Sequence, residues 1–143
     1  MPAYRFITPV NEVEWAAYHA IRKHVLFDAR GRFGVYNENH PDEYVVGHYS
    51  KLLLADDDPV GVVRVDVTGS RATLRRVAIR ADMQRRGHGR VLLESAVAFA
   101  GTFGCLEIES HVAVDAVEFY LKCGFSIHRE QTEPSSVLMT KTI

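Results

Sequence analysis

The sequence predicts an α/β fold on a mixed sheet, and three observations carry that expectation. Three β-type runs, KLLLA (51–55), VGVVRVDV (60–67) and ATLRRVAI (72–79), follow one another across short turn clusters, as in an antiparallel meander. An apolar run rich in helix formers, 88–102, starts just after the third. A further strand, helix, strand succession then completes the chain. Together they give the order βα(α)βββαβαββ: about seven mostly antiparallel strands with helices on both faces.

The elements follow in chain order. Tyr4 to Ile7 reads as a short strand. Asn11 and Glu14 have capping-box spacing ahead of an amphipathic helix carrying Val13, Ala17, Ile21 and Val25, which ends near Phe27. Residues 28–49 hold Gly31, Gly34 and Pro41 and read as loops around a short irregular helix. The meander comes next, turning at DDDP and TGSR. In the helix over 88–102, Val91, Leu92, Ala96 and Phe99 form one apolar side and Leu93, Val97 and Ala100 another, and Gly104 stops it. CLEIESH (105–111) is a strand, DAVEFYLKC (115–123) a short helix halted by Gly124, and the tail splits at Pro134 into two strands. Trp15 and the phenylalanines read as core.

A chain of 143 residues has the size of one domain, so 1–143 is read as a single unit. Its formal net charge of −1 provides no whole-molecule field for nucleic acid or an anionic membrane, and any anion site must be local. Cys105 and Cys123 are too few for a disulfide framework and lack the spacing of a zinc or redox pair, which fits a reducing cytoplasm. No secretory leader or long apolar span is evident. His40 and His48 bracket carboxylates in HPDEYVVGH, but this spacing matches no metal-ligand pattern, and no metal is expected.

The chemically informative stretch is VAIRADMQRRGHGRVLLESA, residues 77–96. Strand, glycine-bearing loop and helix start are the parts that turn a helix's free N–H groups toward an anion, with Arg85, Arg86 and Arg90 able to add charge-assisted hydrogen bonds. A tight turn with solvated arginines is the competing reading, and spacing alone leaves both open. Two common phosphate loops do not fit. A Walker loop needs Lys and then Ser or Thr after its last glycine, where this chain has Arg90 and Val91; a dinucleotide fingerprint needs a third glycine.

A different pattern does fit. Gln84-Arg85-Arg86-Gly87-His88-Gly89 resembles the Gln/Arg-x-x-Gly-x-Gly/Ala signature of the GNAT superfamily of acetyl-coenzyme A dependent N-acetyltransferases. Val77-Ala78-Ile79 before it and Arg90-Val91-Leu92-Leu93 after it resemble the family's strand and helix. Ala116 to Phe125 is similar to the family's A-x-x-F-Y-x-K-x-G-F segment, and the likeness spans roughly residues 4–140. The resemblance implies the GNAT-like acyl-CoA N-acyltransferase fold, acetyl-CoA as cofactor, and an amine acceptor, either a small molecule or a peptide. It implies that Gln84, Arg85, Arg86, Gly87, His88, Gly89 and Arg90 hold the pyrophosphate, His88 through its backbone with its ring toward solvent. The main chain of Val77 and Ile79 would pair with pantetheine, and an N–H from Val77 to Ile79, with Ala78 between, would meet the thioester oxygen. Strand 72–79 must then part from strand 105–110.

By position in the F-Y pair, Tyr120 is the implied proton donor; tyrosine's reference pKa of about 10 exceeds a thiol's of about 8.5, so stabilising the thiolate by a hydrogen bond comes first. The base is read from residues. Strand 72–79 holds no Asp or Glu, although some family members have a glutamate there. Glu107, Glu109 and His111 share one side of the next strand, with His111 nearest its C-terminal end, so His111 and then Glu109 are the candidates. Ala113 occupies the place of the family's common Asn. Residues 28–48 and the loop around Pro134 should meet the acceptor. Arg30 and Arg32 stand against Asp42 and Glu43 there, favouring neither sign of substrate. A non-catalytic coenzyme A binding module is the alternative reading, a nucleic-acid binder the weakest one, and a homodimer is compatible with the chain.

Overall fold

The computed structural model describes residues 1–133 and 136–143, so the predicted break at Pro134 and its acceptor loop lie outside the described residues. The elements are β1 (Tyr4–Ile7), α1 (Glu12–Arg22), β2 (His48–Ala55), β3 (Asp58–Thr68), β4 (Arg71–Ile79), α2 (His88–Gly101), β5 (Glu107–Ala113), α3 (Val117–Lys122), β6 (Ser126–Glu133) and β7 (Ser136–Thr142). The strands form one sheet in the order β1-β2-β3-β4-β5-β7-β6, antiparallel except for the parallel pair β4 and β5. Among the described residues no helix is long and apolar enough to cross a membrane.

Local chemistry sets the first helix. The Asn11 side chain accepts the Glu14 N–H at 2.8 Å while the Glu14 carboxylate accepts the Val10 N–H at 2.9 Å, satisfying two donors at the N-terminus. Beyond Arg22 the helix widens into a π turn over Lys23–Phe27, and a 3-10 turn at Asp28–Arg30 ends it at Gly31, whose φ of 74° suits glycine. The predicted end near Phe27 therefore holds.

The sheet separates two apolar layers. On one face α2 and α3 bring Leu92, Leu93, Ala96 and Tyr120 against Val63, Val65, Leu74 and Ile108; on the other, α1 brings Tyr18 and Ile21 against Leu52, Leu54, Val62 and Ala78. Full burial of each large aliphatic side chain contributes about 1.5–3 kcal/mol. Not every phenylalanine is core: Phe33 is 73% exposed on the 28–48 segment, and Phe103 and Phe119 are also exposed, correcting that expectation. Phe119 lies outward because its ring packs over the start of α2.

One irregularity shapes the site. Arg64 pairs with Arg75 and Val62 with Ala78, so Arg76 and Val77 together oppose the single residue Val63. This is a β-bulge, and Arg76 takes a left-handed φ of 57° to make it. The extra residue exchanges the faces of the strand: Leu74 points into the α2 layer and Ala78 into the α1 layer, although both numbers are even. Parallel pairing with β5 runs only from Arg71–Leu74 against Glu107–Ser110. Beyond Leu74 and Ser110 the two strands part, as the sequence-based expectation required.

Candidate active site

The fork between β4 and β5 leaves the β4 main chain from Arg75 to Ile79 without a strand partner on that side. At its far end the chain turns through Ala81–Met83 and Gln84–Gly87 into α2. The Gln84 side-chain amide donates to the Ile79 carbonyl at 3.1 Å, tying the loop to the strand end. Arg85 has φ 64° and Gly87 φ 88°, so the loop curls tightly; a Cβ built at Gly87 would meet nothing within 4 Å. Among the described residues no side chain caps α2, so its first-turn N–H groups are open to a ligand or solvent. Arg80 is held by Asp58 at 2.9 Å and Asp82 at 2.6 Å, and among the described residues Arg85 and Arg86 stay outside those ion pairs.

Three loop residues do something other than face an anion. His88 is buried, against the expectation of a solvent-facing ring, because its position one residue into α2 turns the imidazole toward β1, where Nδ1 bonds the Tyr4 hydroxyl at 2.8 Å. The Arg90 guanidinium donates to the Lys122 carbonyl at 3.3 Å, at the C-terminal end of α3. A Cβ on Gly89 would come within 3.0 Å of the Phe119 ring. Gly89 is thus a close-packing glycine that joins the two motifs, whereas Gly87 is required for its backbone angle.

Candidate catalytic groups flank the fork. On the α2 side Tyr120 is buried and shares a hydrogen bond with the hydroxyl of Ser110, the last residue of β5 paired to β4. Burial pushes its phenol up to about 12, with the Ser110 bond pulling the other way. On the α1 side, one residue further along β5, exposed His111 lines a cavity of about 780 Å³. Glu109 shares that side, where its carboxylate accepts from the Thr73 hydroxyl at 3.1 Å and lies 3.7 Å from the Arg71 guanidinium. Cys105 and Cys123 are both buried, and burial pushes the Cys123 thiol up, away from thiolate chemistry.

The cavity floor carries a group that the sequence reading missed. Buried Glu43 accepts from Arg22 at 2.5 Å, Ser50 at 2.5 Å and Tyr18 at 2.8 Å, and Arg64 grips Asp66 through two bonds of 2.8 and 2.9 Å. Burial pushes the Glu43 carboxyl upward, but the bonds from Arg22, Ser50 and Tyr18 outweigh it and hold the group down at about 2. A signal existed in VGVVRVDV: Arg64 and Asp66 sit two apart, on one face of a strand that is otherwise apolar. His48 Nδ1 bonds the Asp42 carbonyl at 2.6 Å and its Nε2 lies 3.5 Å from Asp66, so this histidine belongs to the same floor.

Residues 7–125 match the acetyltransferase (GNAT) family. A curated relative, uncharacterized protein YyaT of Bacillus subtilis (strain 168), is 27% identical over 95 residues; that alignment spans 64% of this chain and 64% of the relative. Among solved structures, a Lactobacillus plantarum protein assigned as an N-acetyltransferase is 25% identical, with TM-score 0.81 and 98% of both chains covered. The PaiA N-acetyltransferase of Thermoplasma acidophilum, solved in complex with coenzyme A, superimposes with TM-score 0.75 over 99% of both chains at 16% identity, a likeness of fold.

Proposed function

Because the chain belongs to the GNAT acetyltransferase family and uses acetyl-CoA, we propose that its single 1–143 unit transfers the acetyl group by direct attack of an amine admitted through the cavity on the α1 side of the fork. The observation that carries this reading is the division of labour across the fork: His111 of β5 faces the cavity, while buried Tyr120 of α3 stands on the other side, bonded to the neighbouring strand residue Ser110. We also read the protein as cytoplasmic, on its two free, buried cysteines.

The chain's residues fit the cofactor. The uncapped first turn of α2 and the open space around Gly87 suit a pyrophosphate, with Arg85 and Arg86 adding charge. Gln84 and Arg90 act by holding the loop to β4 and α3. When bound, acetyl-CoA supplies an acyl group activated as a thioester. The unpartnered β4 edge at Val77–Ile79 offers main-chain pairing and an N–H for the thioester oxygen. An amine of pKa about 10.4 sits about three units from neutral at pH 7, which costs about 4 kcal/mol. His111 would relieve the acceptor of the ammonium proton that blocks attack, freeing the lone pair for the new N–C bond, and the second proton lost from nitrogen would balance the thiolate released. Tyr120 would donate a hydrogen bond to the sulfur that leaves.

Gly87→Ala tests the loop. The left-handed φ costs an L-residue about 1–2 kcal/mol, yet the new methyl meets no protein atom. We expect a modest loss of stability with at least about a tenfold weaker coenzyme A Kd by calorimetry, since the methyl projects where phosphate oxygens would approach. An unchanged Kd would remove the pyrophosphate from this turn. Thiol release from acetyl-CoA across a panel of amines separates an enzyme from a binding module.

A further inference from the structure

The cavity has a sign that the sequence did not show. Five arginines line it (Arg22, Arg32, Arg64, Arg75 and Arg76), against the carboxylates of Asp42, Glu43 and Asp66. Two of those carboxylates are already committed, Glu43 to Arg22 and Asp66 to Arg64. Arg75 reaches Asp66 only at 3.9 Å. Among the described residues Arg32 and Arg76 form no ion pair; both guanidiniums instead lie over the ring of Phe27, at 4.9 and 5.2 Å from its centroid. One comes from the 28–48 segment and the other from the bulge, and the buried ring gives the two a common platform at the cavity wall.

Two further facts sharpen this. Burial, and then the like charges of Arg22, Arg64, Arg32 and Arg75, push the Arg76 guanidinium down. Arg76 also adopts its left-handed backbone at the bulge, beside Val77 and the start of the fork. A ligand group held by Arg76 would therefore sit next to the open edge of β4.

We propose that the acceptor is an amine that also bears an anionic group, a carboxylate of the amino-acid type, received by Arg32 and Arg76 above Phe27. A planar carboxylate matches the donor fork of a guanidinium. Its negative charge supplies what the cavity wall lacks, whereas a polycationic amine would meet uncompensated arginines. The volume of about 780 Å³ accommodates a small molecule with its side chain. This substrate class rests on the acetyl-transfer reading, but the arginine site itself does not.

The test uses the full chain with acetyl-CoA and matched acceptors: α-amino acids against their primary amides, and O-phosphoethanolamine against ethanolamine. The acids should exceed the amides in kcat/KM by roughly 10- to 100-fold, and Arg32→Gln or Arg76→Gln should erase that ratio while the coenzyme A Kd stays unchanged. A preference confined to the phosphate-bearing amine would reassign the anion and overturn the carboxylate. Equal rates for acids and amides, or a ratio that survives both variants, would overturn the site. A second arm needs no turnover: calorimetry of N-acetyl amino acids against N-acetyl amino acid amides in the presence of coenzyme A. Binding of the acids alone, lost in Arg32→Gln, with no acetylation in the first arm, would keep the arginine site and remove the transfer reading. Failure of every carboxylate to bind or react would end the proposal.

Discussion

Glu43→Gln is expected to lower the unfolding free energy by about 3–5 kcal/mol, because it leaves Arg22 buried without a counter-charge. Glutamine keeps the shape, so no cavity term enters. What changes is the charge, and an NH₂ group now faces donors from Arg22, Ser50 and Tyr18 that formerly ended on carboxylate oxygens. Denaturant unfolding at neutral pH checks the size; a loss under 1 kcal/mol would mean that the network is solvated in a way its burial does not suggest.

The same residue sets an acid limb. The Glu43 carboxyl is held at about 2 against an ordinary 4.5, a depressed value, so its contribution is fully present above the unfolded pKa and disappears as pH falls through the folded one. Between about pH 4.5 and 2 the native chain should lose roughly 3 kcal/mol through this group. Glu43→Gln should flatten that part of the profile. An unaltered slope in the variant would assign the acid limb to other carboxylates. The network also fixes Arg22 and Arg64 under the cavity proposed to admit the acceptor, so on that reading the variant should disturb acceptor KM more than coenzyme affinity.

The elements that were legible in the chain are those whose signals are local. Asn11 and Glu14 announce a capped helix start, TGSR a hairpin, and Gly87 and Gly89 a loop entering a helix, and each holds in the folded chain. Even the fork could be anticipated, since the family's cofactor requires it. What escaped is what depends on distant partners. Arg76 looks like an ordinary strand residue until the register against Val63 shows it absorbing a bulge. His88 looks solvent-facing until Tyr4, 84 residues earlier in the chain, is seen beside it. The charge of the cavity beside the fork is the clearest case. Segment 28–48 is acidic in sequence, with Asp28, Glu38, Asp42 and Glu43 against Arg30 and Arg32, but folding commits Glu43 to Arg22 and adds arginines from β3 and β4, so the charge of the segment is not that of the cavity.

Tyr120→Phe is expected to lower kcat by about 10²-fold while coenzyme A affinity changes less than twofold, and how it does so can be read from the environment of the phenol. Burial pushes that hydroxyl up to about 12. Full transfer of its proton to a thiolate of pKa about 8.5 would be uphill by about 5 kcal/mol, so its contribution is a hydrogen bond that strengthens as charge develops on sulfur. With the phenol pushed up to about 12, the wild-type pH–rate profile should show no falling limb near pH 10 that vanishes in the variant; such a limb would mean that the phenol ionises near its ordinary value and that the argument from its burial fails. Loss of the bond to Ser110 costs only about 1 kcal/mol of stability, so the variant should remain folded and the rate should report chemistry. If kcat is unchanged in a folded Tyr120→Phe, the residue is a packing tyrosine against Phe125. The sulfur would then have to find its donor on the other side of the fork, where His111 is already assigned to the amine.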